Sequence, residues 1–414
     1  MDMLFQVYSD PQRVRHLVSD PLGRHVDAFV NASRDQGFAR LTIHAHLRVF
    51  GKFNRWLKHH DITADQLAEN HIESFISSRR RREHPKRNDR DVLVRLLGHL
   101  REGGVVPLKP TSPPSDAIEQ ILQDFGGYLS NERGASAWTV IRYSPLLRTF
   151  LRNRFGSRPI CFGQLRPKDI HFAIVSAARD HRRTYARGLV SALRAFLRWL
   201  QFCGKIVGNL AAAVQTVADW RLRDVPVVLR HSEVVRVLRT CDRRTAMGRR
   251  DYAALLLMAR LGLRAAEVRK LRLEDLDWRN GLLTVRRKGR KFDLLPLPSD
   301  VGAAIACYLR DGRRTSADRS VFLCMVAPRR GLGHSSTVSS IVAAALRRAG
   351  LTPARRGAHL FRYSLASSLL RGGAPLTEIG QLLGHNSAQS TEIYAKVDIS
   401  GLRKVAQPWP GGGQ

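Results

Sequence analysis

Apolar residues return every three or four positions along most of this chain, the spacing that gathers them on one side of a helix. Ile43, Leu47, Phe50, Phe53 (or Asn54) and Leu57 form one such row, with basic residues between them. Leu67, Ile72, Phe75 and Ile76 form a second. The pattern then repeats. WTVIRYSPLLRTFLRNRF, from Trp138 to Phe155, echoes the earlier LTIHAHLRVFGKFNRWLK, and LRPKDIHFAIVSAARDHRR echoes LAENHIESFISSRRRR. RGLVSALRAFLRWLQFCGKIVGN likewise echoes VLVRLLGHLREGGVVP, so the chain carries a weak internal duplication of a three- or four-helix unit. Phe150, Phe196, Trp199 and Phe202 fit the apolar stripe of the second copy and are expected in its core.

Further along, HSEVVRVLRTCDRR reads as a helix capped by Ser232. DYAALLLMARLGLRAAEVRKLRLEDLDW gives an apolar helix, a break at Gly262, then Arg264 and a second helix carrying Glu267. LLTVRRKGRKFDLLPLP follows, two short strand-like runs around a Lys-Gly turn. The fold class is therefore mainly α with a small antiparallel sheet. At roughly 150 residues per domain, 414 residues are enough for two or three. A helical module over 1–105, a Pro-rich spacer over 106–115, a second helical module over 116–217, a basic linker over 218–229, a C-terminal domain over 230–405 and a tail over 406–414 are expected.

Charge narrows the partner. The chain has 69 Lys plus Arg against 35 Asp plus Glu, a formal net charge of +34. Such a balance suits a polyanion, with binding that weakens as salt rises. An anionic membrane surface is the rival partner, but no apolar run approaches the roughly 20 residues needed to span a bilayer. The opening MDMLFQVYSDPQRVRH also lacks the basic-then-apolar order of a signal peptide, so a cytoplasmic, nucleoid-associated protein is expected. RRRREHPKRNDR, residues 79–90, reads either as a solvated loop or as a phosphate contact. Five scattered cysteines, odd in number and without a C-x-x-C pair, suggest neither a zinc site nor a disulfide framework and are expected as buried thiols.

Candidate chemistry lies between His359 and Tyr394. His359 and Arg362 are three apart and share a helix face, and a Gly384-His385 pair precedes the tyrosine. A free phenol, with a pKa near 10, is a poor nucleophile at neutral pH and needs nearby cations and a proton acceptor. Arg362, His359 and His385 supply both. Guanidinium's planar fork of donors matches the non-bridging oxygens of a phosphodiester. No third metal ligand accompanies the two histidines, so neither metal nor cofactor is expected. Ser364, Ser367 and Ser368 read as helix-packing residues.

With the Gly-Leu-Arg turn at Arg264, the hairpin lysine Lys288, the His359-x-x-Arg362 pair, His385 after Leu-Gly, and Tyr394, the chain resembles the tyrosine recombinase (phage integrase) family. The resemblance implies a core-binding domain over 116–217, a possible second copy of it over 1–105, and a catalytic domain over 230–405. It implies a site-specific DNA recombinase with catalytic residues Arg264, Lys288, His359, Arg362, His385 and the nucleophile Tyr394. Arg287, Arg290 and Lys291 compete with Lys288 within the basic turn, with Lys291 the reserve. Glu267 is expected to orient an arginine or the backbone. Tyr363 introduces a rival phenol beside Arg362, but helical geometry turns it about 100° away. The implied partners are double-stranded DNA and further recombinase subunits, in a homotetramer or an assembly with related recombinases, and the implied setting is a mobile element. A type IB topoisomerase, and a DNA-binding protein without catalysis, are the alternatives.

Overall fold

A computed structural model describes residues 17–18, 21–80, 88–107, 116–156, 158–216, 226–287, 291–384 and 391. Most of the Pro-rich spacer and of the 218–229 linker, residues 81–87 of the basic run, and the tail lie outside them. The chain forms two compact units, Pro110–Arg223 and a second made of Met1–Lys109 with Asp224–Gln414. Among the described residues no helix is long and apolar enough to cross a membrane.

In the larger unit, the N-terminal segment folds as α1 (Val26–Asp35), α2 (Arg40–His59), α3 (Glu69–Arg80) and α4 (Asp89–Glu102). Ile43, Leu47, Phe50, Phe53 and Leu57 of α2 are all buried, as are Leu67, Ile72, Phe75 and Ile76. Both Phe53 and Asn54 point inward. The Asn54 side-chain oxygen accepts the backbone N–H of Leu22 at 2.9 Å, which satisfies an otherwise orphaned donor in the core. The turn after α1 leans on the C-terminal segment, where Gln36 O accepts the backbone N–H of Arg329 at 2.8 Å.

The smaller unit is a bundle of α5 (Ala117–Asn131), α6 (Ala137–Phe155), α7 (Pro167–Asp180) and α8 (Arg183–Phe202). Asp116 and Ser136 cap α5 and α6 by accepting the backbone N–H groups of Ile118 and Thr139. Phe125, Phe150, Phe196 and Trp199 fill the core. Phe202 does not join them. It is 73% exposed and only flanks Tyr128, because two residues beyond buried Leu200 a side chain lies about 200° around the helix.

The C-terminal segment of the larger unit comprises α9 (His231–Arg239), α10 (Ala246–Leu261), α11 (Ala265–Lys270), strands β1 (Leu276–Asp277), β2 (Leu282–Arg286) and β3 (Phe292–Pro296), then α12 (Ser299–Asp311), α13 (Ser335–Arg348), α14 (His359–Arg371) and α15 (Leu376–Leu383). The sheet is antiparallel in the order β1-β2-β3, with Leu283 opposite Leu295 and Val285 opposite Asp293. Leu255, Leu256, Leu257 and Met258 of α10 are all buried, since neighbouring helices cover it on several sides. Ser232 is not the cap of α9. Arg230 occupies that position and its N–H is taken by the Glu233 carboxylate at 2.8 Å, which starts the helix earlier. Of the cysteines only Cys241 is buried; Cys161 and Cys203 are exposed, because each falls at a helix or turn boundary off the apolar stripe.

His46 of α2 gives the N-terminal helices a pH dependence. It is 4% exposed, its ring stands edge-on to Phe38 at 4.9 Å, and its Nδ1 has no hydrogen-bond partner. Burial, with Arg95 adding repulsion, lowers its pKa to about 4. The unfolded chain takes up a proton near pH 6.5 while the folded one resists until about pH 4, so stability falls with pH across that window. The loss is about 3 kcal/mol at full effect. Amide hydrogen exchange in α2 should lose protection on acidification by that order, and His46→Leu should remove the difference.

Candidate active site

The site is built where four helix ends meet. Helix α10 ends at Gly262, whose φ of +61° is left-handed, and a Cβ there would lie 2.4 Å from Leu383 Cδ2. Both the conformation and the close approach of α15 require glycine. The chain then extends through Leu263 to Arg264, which caps α11. Glu267, one turn on, folds back. Its Oε2 accepts the Arg264 N–H at 2.8 Å and its Oε1 accepts Arg264 Nη1 at 2.8 Å. The sequence leaves open whether this acid orients an arginine or the backbone. It does both.

Arg362 enters from α14 and is 2% exposed. Its Nη1 donates to Gly262 O at 2.8 Å and its Nη2 to Leu383 O at 2.6 Å. The Arg264 fork reaches the same place more loosely, with Nη1 3.5 Å from Leu383 O and Nη2 3.5 Å from Gly384 O. Two guanidiniums thus converge on the last carbonyls of α15, which lack helical partners and carry the negative end of the helix dipole. Gly384 closes that helix in the left-handed conformation.

His359 begins α14 and keeps an exposed edge, with its ring 6.0 Å from that of Tyr363 and inclined 29° to it. The protein packed around the ring, then Arg362 and Arg264, lower its pKa below the ordinary 6.5, while Glu267 opposes them. Neutral imidazole is therefore favoured near pH 7, leaving a ring nitrogen able to accept a proton. Ser364 and Ser367 are buried in packing; Ser364 Oγ accepts Leu229 N–H at 2.7 Å and donates to Leu360 O at 2.8 Å. Ser368 is exposed instead, because it falls on the outer face of α14.

Arg264, His359, Arg362 and Glu267 therefore come together. Lys288, His385 and Tyr394 lie outside the described residues; Arg287 and Gly384, the chain neighbours of the first two, belong to the cluster. Arg287, directly before Lys288, is 8% exposed and bonds Glu267. Thr391, three residues before Tyr394, is buried, with its Oγ1 3.0 Å from where a Cβ on Gly380 of α15 would sit. Arg287 and its partner Asp293 are what sequence reasoning passes over. Within a run of five cations nothing marks the one that turns inward, and the only available clue is the lone acid Asp293 just beyond it.

Clustered guanidiniums beside a histidine whose pKa is lowered have the charge and donor geometry that suit a phosphodiester anion. The Phage integrase family profile matches residues 227–400, and the profile of its N-terminal SAM-like domain matches 122–202. "Putative integrase/recombinase y4rA" of Sinorhizobium fredii (strain NBRC 101917 / NGR234) is 39% identical over 95% of this chain and 96% of its own length. Tyrosine recombinase XerC of Oceanobacillus iheyensis (strain DSM 14371 / CIP 107618 / JCM 11309 / KCTC 3954 / HTE831) is 31% identical over 70% of this chain and 95% of its own. The fold resembles that of XerH site-specific recombinase in a post-cleavage complex with palindromic difH substrate, with a TM-score of 0.56 at 16% identity, covering 82% of this chain and 94% of that one. The chain belongs to the phage integrase family and is a tyrosine-type site-specific DNA recombinase.

The electrostatics can be checked apart from catalysis. Imidazole NMR should give His359 a titration midpoint below 6.5. Arg264→Gln should move that midpoint up and Glu267→Gln should move it down, because each removes one opposing influence.

Proposed function

We propose that Tyr394 is the nucleophile and that Arg264, Lys288, His359, Arg362 and His385 complete the catalytic set. The observation that carries this is the convergence of Arg264 and Arg362 on a single point beside His359. The phenol oxygen attacks a DNA phosphorus, His359 accepts the phenolic proton, and the P–O5′ bond breaks with Lys288 donating a proton to the departing oxygen. The two guanidiniums, with His385, steady the charge on the non-bridging oxygens. Reversal by the 5′ hydroxyl of a partner strand completes exchange. The bond energy stays in the 3′-phosphotyrosyl link, so no ATP or metal enters the scheme. On nicked suicide DNA the protein should form a covalent adduct in excess EDTA, and Tyr394→Phe should form none. A wild-type adduct yield in that variant would place the nucleophile elsewhere. Relaxation of supercoiled DNA without exchange between paired sites would mark a topoisomerase.

The wider reading follows from the same chemistry. Residues 116–217 serve as the core-binding domain, and the enzyme works at the nucleoid as a tetramer, alone or with related recombinases. The segment after Asp398 is the candidate for exchange between subunits, and the setting is a mobile element. The helices within residues 1–105 act as a second DNA-facing module. Helix α2 favours this, because it contains no acidic residue, and its exposed Arg40, Arg48, Arg55 and Lys58 form no ion pair with described residues. Arg79 of α3 and Arg101 of α4 are instead tied to acids, to Asp89 at 2.7 Å and to Glu69 at 2.9 Å. Replacing Arg48 and Arg55 by alanine should lower the slope of log affinity against log salt by about 1 to 2 on DNA long enough to reach this module. An unchanged slope would remove the module from the DNA.

A further inference from the structure

Arg287 stands where β2 gives way to the basic turn. Its backbone N–H donates to Lys291 O at 2.8 Å and closes the base of that turn. Lys291 is exposed. The Arg287 side chain does the opposite and turns inward, 8% exposed. Nε donates to Asp293 Oδ2 at 2.7 Å, Nη1 to Glu267 Oε2 at 3.1 Å, and Nη2 to Leu382 O at 3.1 Å. One guanidinium therefore meets β3, α11 and the end of α15. Its fit against α15 is close, since a Cβ on Gly384 would come within 2.6 Å of Nε.

The Glu267 carboxylate that receives Arg287 on Oε2 receives Arg264 on Oε1. Base of the turn and phosphate-facing arginine thus share an anchor. We propose that Arg287 is a positioning residue for strand cleavage, holding the turn that bears Lys288 in register with Arg264 so that the lysine ammonium meets the departing 5′ oxygen. The proposal rests on Lys288 being the proton donor. Arg287 itself touches neither DNA nor the reacting atoms; it acts through Lys288.

The test uses the full chain and two nicked suicide substrates, one with the ordinary 5′ oxygen at the scissile bond and one with sulfur there. In both, the tyrosine O–P bond forms as the P–O5′ or P–S5′ bond breaks. Oxygen needs a proton to leave, whereas sulfur leaves as a thiolate, whose conjugate acid has a pKa near 8.5. Arg287→Met alone would leave buried Glu267 and partly exposed Asp293 without their shared cation, so the variant is Arg287→Met with Asp293→Asn, its folding checked by thermal melting. Single-turnover cleavage of the oxygen substrate at saturating DNA should slow about a hundredfold. The half-saturating DNA concentration should stay within about threefold of wild type, and sulfur should restore the rate to a similar margin. Lys288→Ala should be rescued by sulfur in the same way.

Asp293→Ala alone removes the Nε acceptor, keeps the other two Arg287 bonds and serves if the double variant melts early. It too should cleave oxygen slowly and sulfur normally. A wild-type rate on oxygen in these variants, or a defect that sulfur leaves in place while Lys288→Ala is rescued, overturns the role of Arg287. Failure of sulfur to rescue Lys288→Ala overturns the lysine assignment instead, and the role of Arg287 with it.

Discussion

Everything at the site depends on keeping several guanidiniums together without DNA to neutralise them. Arg264, Arg287 and Arg362 gather around the end of one short helix, with Arg362 2% and Arg287 8% exposed. Two like charges about 4 Å apart repel by roughly 4 kcal/mol even at an effective dielectric of 20, so the cluster would spring open without compensation. Glu267 supplies it. Buried at 5% exposure, this carboxylate is bonded by Arg264 and Arg287 and by the Arg264 backbone N–H. The unpaired carbonyls of Leu382, Leu383 and Gly384 supply the rest, as the partial negative end of α15. The balance is tight at the rear of the cluster and loose at Arg264, whose contacts to α15 stand at 3.5 Å. For the proposed reaction, a site built this way has its positive charge preorganised, with Arg264 the most exposed of the three arginines.

Two glycines make that arrangement possible. Gly262 turns the chain so that its carbonyl faces Arg362, and it leaves room for Leu383. Gly384 ends α15 with its last carbonyls pointing into the guanidiniums, and it leaves room for Arg287. Each holds a left-handed conformation that a larger residue resists, and at each a Cβ would strike a group the site needs. The backbone is therefore shaped by the charge cluster, as much as the cluster is carried by the backbone.

Much of this was legible in the sequence, for a physical reason in each case. Helical periodicity marks α2, α3, α6 and α8 because a helix with one buried side must repeat its apolar residues. The Gly262 turn, the capping of α11 by Arg264 and the one-turn offset to Glu267 are local, so nearest neighbours along the chain decide them. What stayed hidden depends on distant partners or small angles. Phe202 belongs to the apolar run but lies past the end of the stripe. The start of α9 moved because Glu233 reaches back to Arg230. Arg287 looks like its neighbours until Glu267 and Leu382, 20 and 95 residues away in sequence, claim its donors. The bond between Gln36 O and Arg329 N that ties the first helices to the C-terminal segment leaves no local trace at all.

The same charges do a second job at His359. In the unliganded site, packing and the field of Arg362 and Arg264 hold its imidazole neutral, against the pull of Glu267. A base must be unprotonated before reaction, and this field empties the nitrogen in advance. In the proposed reaction the incoming phosphodiester brings a negative charge to those two guanidiniums and cancels part of their repulsion. The imidazole then becomes a stronger proton acceptor at the moment a phenolic proton must leave, because adding an anion raises the pKa of a nearby cationic acid. In that proposed reaction, substrate binding and activation of the base are one electrostatic event.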